Sequence, residues 1–196
     1  MVGDQDITSD KDYKHVMKWL QHAHLHPNGV QVGLTQITPL VLQSQLESVG
    51  TSVNHLNNIL NVADKKDVTT MFNLMQLIWT LSPPSPMDNP IHHQDQIALN
   101  QHSKLLQWLI HPYINVELSL HEQLKYLSAA AHVAYVFFMH GNACSSYIPS
   151  TLYQDIQIMV KNAYFCVAKT KCDNPDGKFF LTLLGTDCLE WLFGFI

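Results

Sequence analysis

Residues 68–79, VTTMFNLMQLIW, place Val68, Met71, Phe72, Met75, Ile78 and Trp79 on one side of an α-helix. Recurrence at i, i+3, i+4 and i+7 is helical, whereas a half-buried strand would alternate. Asp64 upstream is the expected cap, because a short acceptor side chain can take up free N–H groups of the first turn. A stripe of Met and aromatic residues this wide is core, not a ligand pocket.

The same period recurs on both sides of this segment. Upstream, Ser9 or Asp10 is expected to cap a helix carrying Tyr13, Val16, Met17 and Leu20, stopped by Asn28-Gly29. Thr38-Pro39 reads as an N-cap with proline at the first helical position. Leu42, Leu46 and Val49 follow, and Gly50 ends that helix. Thr51 or Ser52 opens a short one with Val53, Leu56, Ile59 and Leu60. Downstream, a helix is predicted from about Pro90, with Ile97, Ala98, Leu105, Leu106, Leu109 and Ile110 inward and Pro112 closing it. Ile114, Val116 and Leu118 suggest an extended crossing segment. Ser119-Leu120-His121-Glu122 has capping-box spacing and opens a helix through Leu124, Leu127, Ala131, Tyr135, Phe138 and Met139. The last long helix, about 151–171, turns Leu152, Ile156, Met159, Val160, Ala163, Tyr164 and Val167 inward. Asn174-Pro175-Asp176-Gly177 then forms a turn, and the apolar run Phe179–Leu184 follows.

The predicted fold is therefore all-α, an irregular bundle of six or seven helices with at most one short extended segment near the C-terminus. Residues 1–9 are expected to be a disordered lead, 10–81 an N-terminal helical part, 82–90 a Pro-rich connector, and 91–196 a C-terminal helical part. Ser82-Pro83-Pro84-Ser85-Pro86 supplies the stiffness of that connector.

Composition narrows the function. The 196 residues are 46% hydrophobic but only 14% charged, with a net charge of −5. All eleven basic residues are Lys. Arg provides bidentate phosphate and base contacts, and a net negative chain sets up no attractive field for DNA. Direct nucleic-acid binding is not expected. No apolar run is long enough to span a bilayer, so no membrane partner is expected either. Cys144, Cys166, Cys172 and Cys188 lack C-x-x-C spacing, and the polar, acidic N-terminus does not read as a signal peptide. Reduced thiols in an intracellular chain are the expectation, with Cys166 and Cys172 as buried thiols rather than metal ligands and no signal favouring nucleus or cytoplasm.

Few side-chain patterns carry chemistry. His22, His24 and His26 alternate at the end of the first helix, where only the outer two share a face. A metal site there would need a third ligand, and solvated or helix-end histidines are the simpler reading. His132 and His140 need no functional role. No phosphate-binding glycine loop and no nucleophile elbow is present, so neither nucleotide binding nor a small-molecule enzyme finds a motif. Glu190, Asp187 and Asp155 form a sparse acidic set, and two-metal phosphoryl transfer needs several carboxylates around the ions.

The run Gly-Thr-Asp-x-Leu-Glu-x-Leu-Phe-Gly at 185–194 resembles the Asp-x-Leu-Glu-x-x-Phe segment of P-element-type DNA transposases. Ser119–His132 and Val160–Gly177 are similar to transposon-derived proteins of mushroom-type fungi that end in this motif. The resemblance covers roughly residues 60–196. It implies that Glu190 occupies the acidic position on the closing helix of an RNase H-like core, reached after a long helical insertion. In that family the partner aspartates come from a sheet and hold Mg²⁺. No alternating apolar strands of that kind precede the helical stretch here. The expectation is therefore a catalytically inert fragment with no cofactor or metal of its own, ending in a truncated acidic helix. The alternative is a standalone helical protein-interaction module. Leu189, Trp191, Leu192, Phe193, Phe195 and Ile196 crowd two turns, so self-association or a protein partner is expected through residues 189–196.

Overall fold

The computed structural model describes residues 10–60, 67–81, 90–140 and 147–185. Among them are seven α-helices: α1 (Tyr13–Leu25), α2 (Pro39–Ser48), α3 (Val53–Leu60), α4 (Val68–Trp79), α5 (Pro90–Ile114), α6 (Leu120–Met139) and α7 (Ser150–Asp173). The fold class is the expected all-α one. The lead 1–9, the connector residues 82–89, Cys144, and the closing segment 186–196 with Asp187, Cys188 and Glu190 lie outside the described residues.

The helix stripes of the sequence form one core. Met17 and Leu20 of α1, Met71, Met75 and Ile78 of α4, Leu105, Leu106 and Leu109 of α5, and Ile156 of α7 all belong to it. Helices from before and after the proline-rich stretch thus share one apolar interior. Leu74 completes the α4 stripe, and Phe72 and Trp79 pack against its edge. The helix starts behave as their chemistry requires. Thr38 accepts the Val41 N–H at 3.3 Å ahead of Pro39. Ser119 and Glu122 complete both halves of the capping box. Thr38→Ala should cost about 1 kcal/mol in urea denaturation, and Thr38→Ser should be near neutral. Equal loss from both would mean the hydroxyl is not the cap.

Several local expectations are corrected. Asp12 caps α1, accepting the Lys14 N–H at 2.7 Å, in place of Ser9 or Asp10. Asp67 caps α4 in place of Asp64, accepting the Thr70 N–H at 3.1 Å. Hydrogen bonds from Thr70 hold the Asp67 carboxyl below its ordinary range. Pro112 does not close α5. The helix continues to Ile114, and the Asn115 N–H still reaches the His111 carbonyl at 2.9 Å. Having no N–H, the proline can donate nothing to the Trp108 carbonyl, yet the chain keeps its helical path for two more residues. The 114–118 stretch is a helix end and a turn, not an extended crossing, and Val116 is exposed. On α6 the buried face is Gln123, Leu127, Ala130 and Ala134, so Tyr135 and Met139 point outward. Small side chains let the neighbouring helices approach closely, and that proximity sets the face. Val49, Val53 and Tyr164 are exposed as well. Beyond α7 the run Phe179–Leu184 forms a single 3₁₀ turn, Leu181–Leu183, with Leu181 buried. Cys166 is half-buried and its thiol pKa is raised by burial, but Cys172 is exposed near the solvated end of α7.

One element has no counterpart in the sequence reading. β1 (Val30–Val32) and β2 (Thr35–Ile37) form an antiparallel hairpin with Val30 opposite Ile37, Gln31 opposite Gln36 and Val32 opposite Thr35. Gly33, at φ +59°, opens the two-residue turn that joins them, where a left-handed residue matches the strand twist. Val30, Val32 and Ile37 enter the core. The Gln31 N–H reaches across to the Tyr147 carbonyl at 3.4 Å, which ties the hairpin edge to the start of α7.

Candidate functional site

Two polar features meet where α1, the hairpin and α7 converge. The first is internal. His24 and His102 are fully buried, one on α1 and one on α5, and their Nε2 atoms lie 2.5 Å apart. His24 Nδ1 lies 2.6 Å from the Leu20 carbonyl oxygen, which can only accept, so that nitrogen carries a proton. With both imidazoles neutral, the shared bond is then donated by His102 Nε2. His102 Nδ1 is left to accept from the Tyr147 hydroxyl at 3.2 Å. The chain therefore has one direction, from Tyr147 through His102 and His24 to Leu20.

Burial holds His24 at a pKa of about 4, only partly offset by its bond to Leu20. Burial and the neighbouring imidazole push His102 well below the usual range. Burial also raises the Tyr147 phenol. All three groups are neutral near pH 7. The solvated reading does not hold for His24. His24 falls on the core face of α1, and His102 was not singled out by any local pattern.

The second feature is a cavity of about 690 Å³ that opens to solvent on the other side of Tyr147. From α1 it takes Trp19, His22 and Ala23, spaced i, i+3 and i+4 along one face, and His26 joins them from the extended cap just past the helix end. From the hairpin region it takes Asn28, Gly29 and the cross-strand pair Gln31 and Gln36. Alternation along the strands turns these glutamines away from the valines and Ile37 of the core. Ile148, Pro149, Leu152 and Asp155, at the start of α7, form the third wall. His22 and His26 both line the groove, but His26 lies past the end of α1 in extended backbone, so helical spacing does not place it there, and His24 is turned into the core.

The polar groups of the groove are held in place. The Gln31 amide donates to the Gly33 carbonyl at 3.0 Å, and the Gln36 amide donates to the Asn28 carbonyl at 2.6 Å. The Asn28 N–H donates to His26 Nδ1 at 3.2 Å. Trp19 meets His22 edge to face at 5.5 Å between ring centres, yet remains 59% exposed. Asp155 is paired with Lys11 at 3.0 Å. It is thus engaged in an ion pair on the surface, and Asp187 and Glu190 lie outside the described residues. His22 Nε2 is buried without a hydrogen-bond partner among the described residues.

Among the described residues no three His, Cys, Asp or Glu side chains gather as a metal site. No helix there is long and apolar enough to cross a membrane. The surface expected over residues 189–196 lies outside the described residues. Comparison with protein-family models, with curated proteins and with solved structures finds no match to this chain.

Proposed function

We propose that the chain is a catalytically inert helical binding module, a shortened relative of the helical part of P-element-type transposases. The observation that carries the binding reading is the groove between α1, the hairpin and α7. It is concave, of ligand size, and lined by an exposed tryptophan among oriented amide and imidazole groups. Pockets of this volume with a few converging polar groups on apolar walls are the usual form of a small-ligand site. Descent from a transposase rests on the residues 185–194, with Glu190 at the acidic position. The all-helical body supports a relation to the family's helical insertion rather than to its sheet, and self-association through residues 189–196 remains part of this reading. Fold-level likeness alone assigns no activity.

Ligand screening by NMR on the full chain should yield compounds whose shifts converge on Trp19, His26 and Gln36. Mg²⁺ or Mn²⁺ should support no DNA cleavage by the purified protein. Binders scattered over the surface with none in the groove would overturn the binding reading. Metal-dependent cleavage abolished by Glu190→Gln would overturn the inert one.

A further inference from the structure

We propose that the groove takes a neutral polyhydroxylated ligand, a short oligosaccharide, laid against Trp19 with its hydroxyls on Gln31, Gln36, Asn28 and His26. This rests on the reading of the chain as a binding module and names the ligand class of the same groove.

Charge comes first. The groove carries one carboxylate, Asp155, already paired with Lys11, and the sequence contains no Arg. An anionic ligand would meet a carboxylate and two amide oxygens. A cationic one would compete with Lys11 and find one exposed aromatic ring, Trp19, since Tyr147 on the wall is fully buried, where cation recognition favours several.

The hydrogen-bond inventory points the same way. Gln31 and Gln36 each commit an amide N–H to a backbone carbonyl, which fixes the amide plane and leaves the Oε1 atoms as acceptors. His26 accepts a backbone N–H at Nδ1, which leaves Nε2–H as the ring's donor. The Asn28 side chain supplies both kinds of group. A wall that mixes fixed acceptors with donors suits hydroxyls, since each hydroxyl both donates and accepts. Trp19 supplies what such ligands also need, an apolar plane against which the C–H face of a sugar ring can pack. A large aromatic left 59% exposed within a polar groove leaves that area for a ligand to cover. The cavity has room for about two or three sugar rings.

The test is a titration of the ¹⁵N-labelled full chain with three neutral trisaccharides, maltotriose, cellotriose and triacetylchitotriose. At least one should give saturable shifts at the Trp19 indole N–H and at the Asn28, Gln31 and Gln36 side-chain amides. Trp19→Ala and Gln36→Leu should each weaken that binding about tenfold or more, with Trp19→Tyr retaining most of it. Trp19 is exposed, so its variants should keep the fold, and circular dichroism verifies this. Sugar binding untouched by Trp19→Ala would overturn the proposal. If uncharged peptides saturate the groove and the sugars do not, the ligand class is wrong and the binding module stands. If neither class binds, both readings fail together.

Discussion

Gly29→Ala is expected to prevent stable folding, or to cost on the order of 4 kcal/mol or more in chemical denaturation. Gly29 sits at φ +59°, where a side chain is already strained. The decisive term is contact. A Cβ there would lie 1.9 Å from the Ile37 carbonyl oxygen and 2.8 Å from the Thr38 Cα. Those are backbone atoms at the end of β2 and at the cap of α2, so neither can swing aside. Relief would need the two strands to part at their open end, where Val30 pairs with Ile37, and both of those side chains are in the core. Gly33→Ala supplies the control. It has the same φ of +59°, but its Cβ would meet nothing within 4 Å. Conformational strain alone should cost it about 1–2 kcal/mol. Comparable small losses at both sites would show that the open end of the hairpin can widen freely.

The second large effect concerns acid. The folded pKa of His24 is depressed from 6.5 to about 4, and that of His102 is also lowered. In the unfolded chain both rings titrate near the ordinary value. Below it the unfolded state binds more protons than the folded one, so stability falls as pH drops. The stability is fully present above about 6.5 and is lost progressively as pH falls towards 4. For His24 alone the loss is about 3 kcal/mol, and His102 adds to it in the same direction. Urea denaturation between pH 7.5 and 4.5 measures the slope. His24→Leu/His102→Leu should be less stable at pH 7.5, because the Tyr147 hydroxyl loses its acceptor. Its stability should nevertheless vary far less with pH across that window. A double variant with an undiminished slope would place the acid sensitivity in other groups.

The helices were legible in the sequence because each carries several turns of 3.6-residue periodicity. Thr38-Pro39 and Ser119 with Glu122 located two of their starts. Asp12 and Asp67 were missed because acceptor residues cluster upstream of α1 and α4, and only the backbone path selects one. The hairpin escaped for the opposite reason. Strands of three residues offer barely one period of alternation, and Leu34, exposed at the turn, breaks the pattern. On α6, reading by size favoured Tyr135, where close approach of the neighbouring helices favours Ala134. The groove was legible in part. Spacing put His22 and His26 on one helix face, but His26 reaches the groove from the extended cap beyond α1. Trp19 lies outside the stripe of Tyr13, Val16, Met17 and Leu20 and drew no reading, and the two glutamines belong to the unread hairpin. The His24–His102 pair joins residues 78 positions apart, so no local pattern could announce it.

The direction of that buried chain also limits how the helices can dock. Apolar faces tolerate sliding, since one leucine is nearly as good a neighbour as the next. A string of bonds in which every donor has one acceptor does not. Advance α5 by a single residue against α1, and Gln101 or Ser103 replaces His102 as the nearest candidate. Tyr147 and His24 would then be left unmatched in a dry interior, each a penalty comparable to a lost hydrogen bond. Turning over either imidazole sets like against like and breaks the string just as surely. The two rings therefore serve as a keyed joint that admits one alignment of α1, α5 and the start of α7. Because the mouth of the groove is built from two of those three pieces, its width is set from inside the protein.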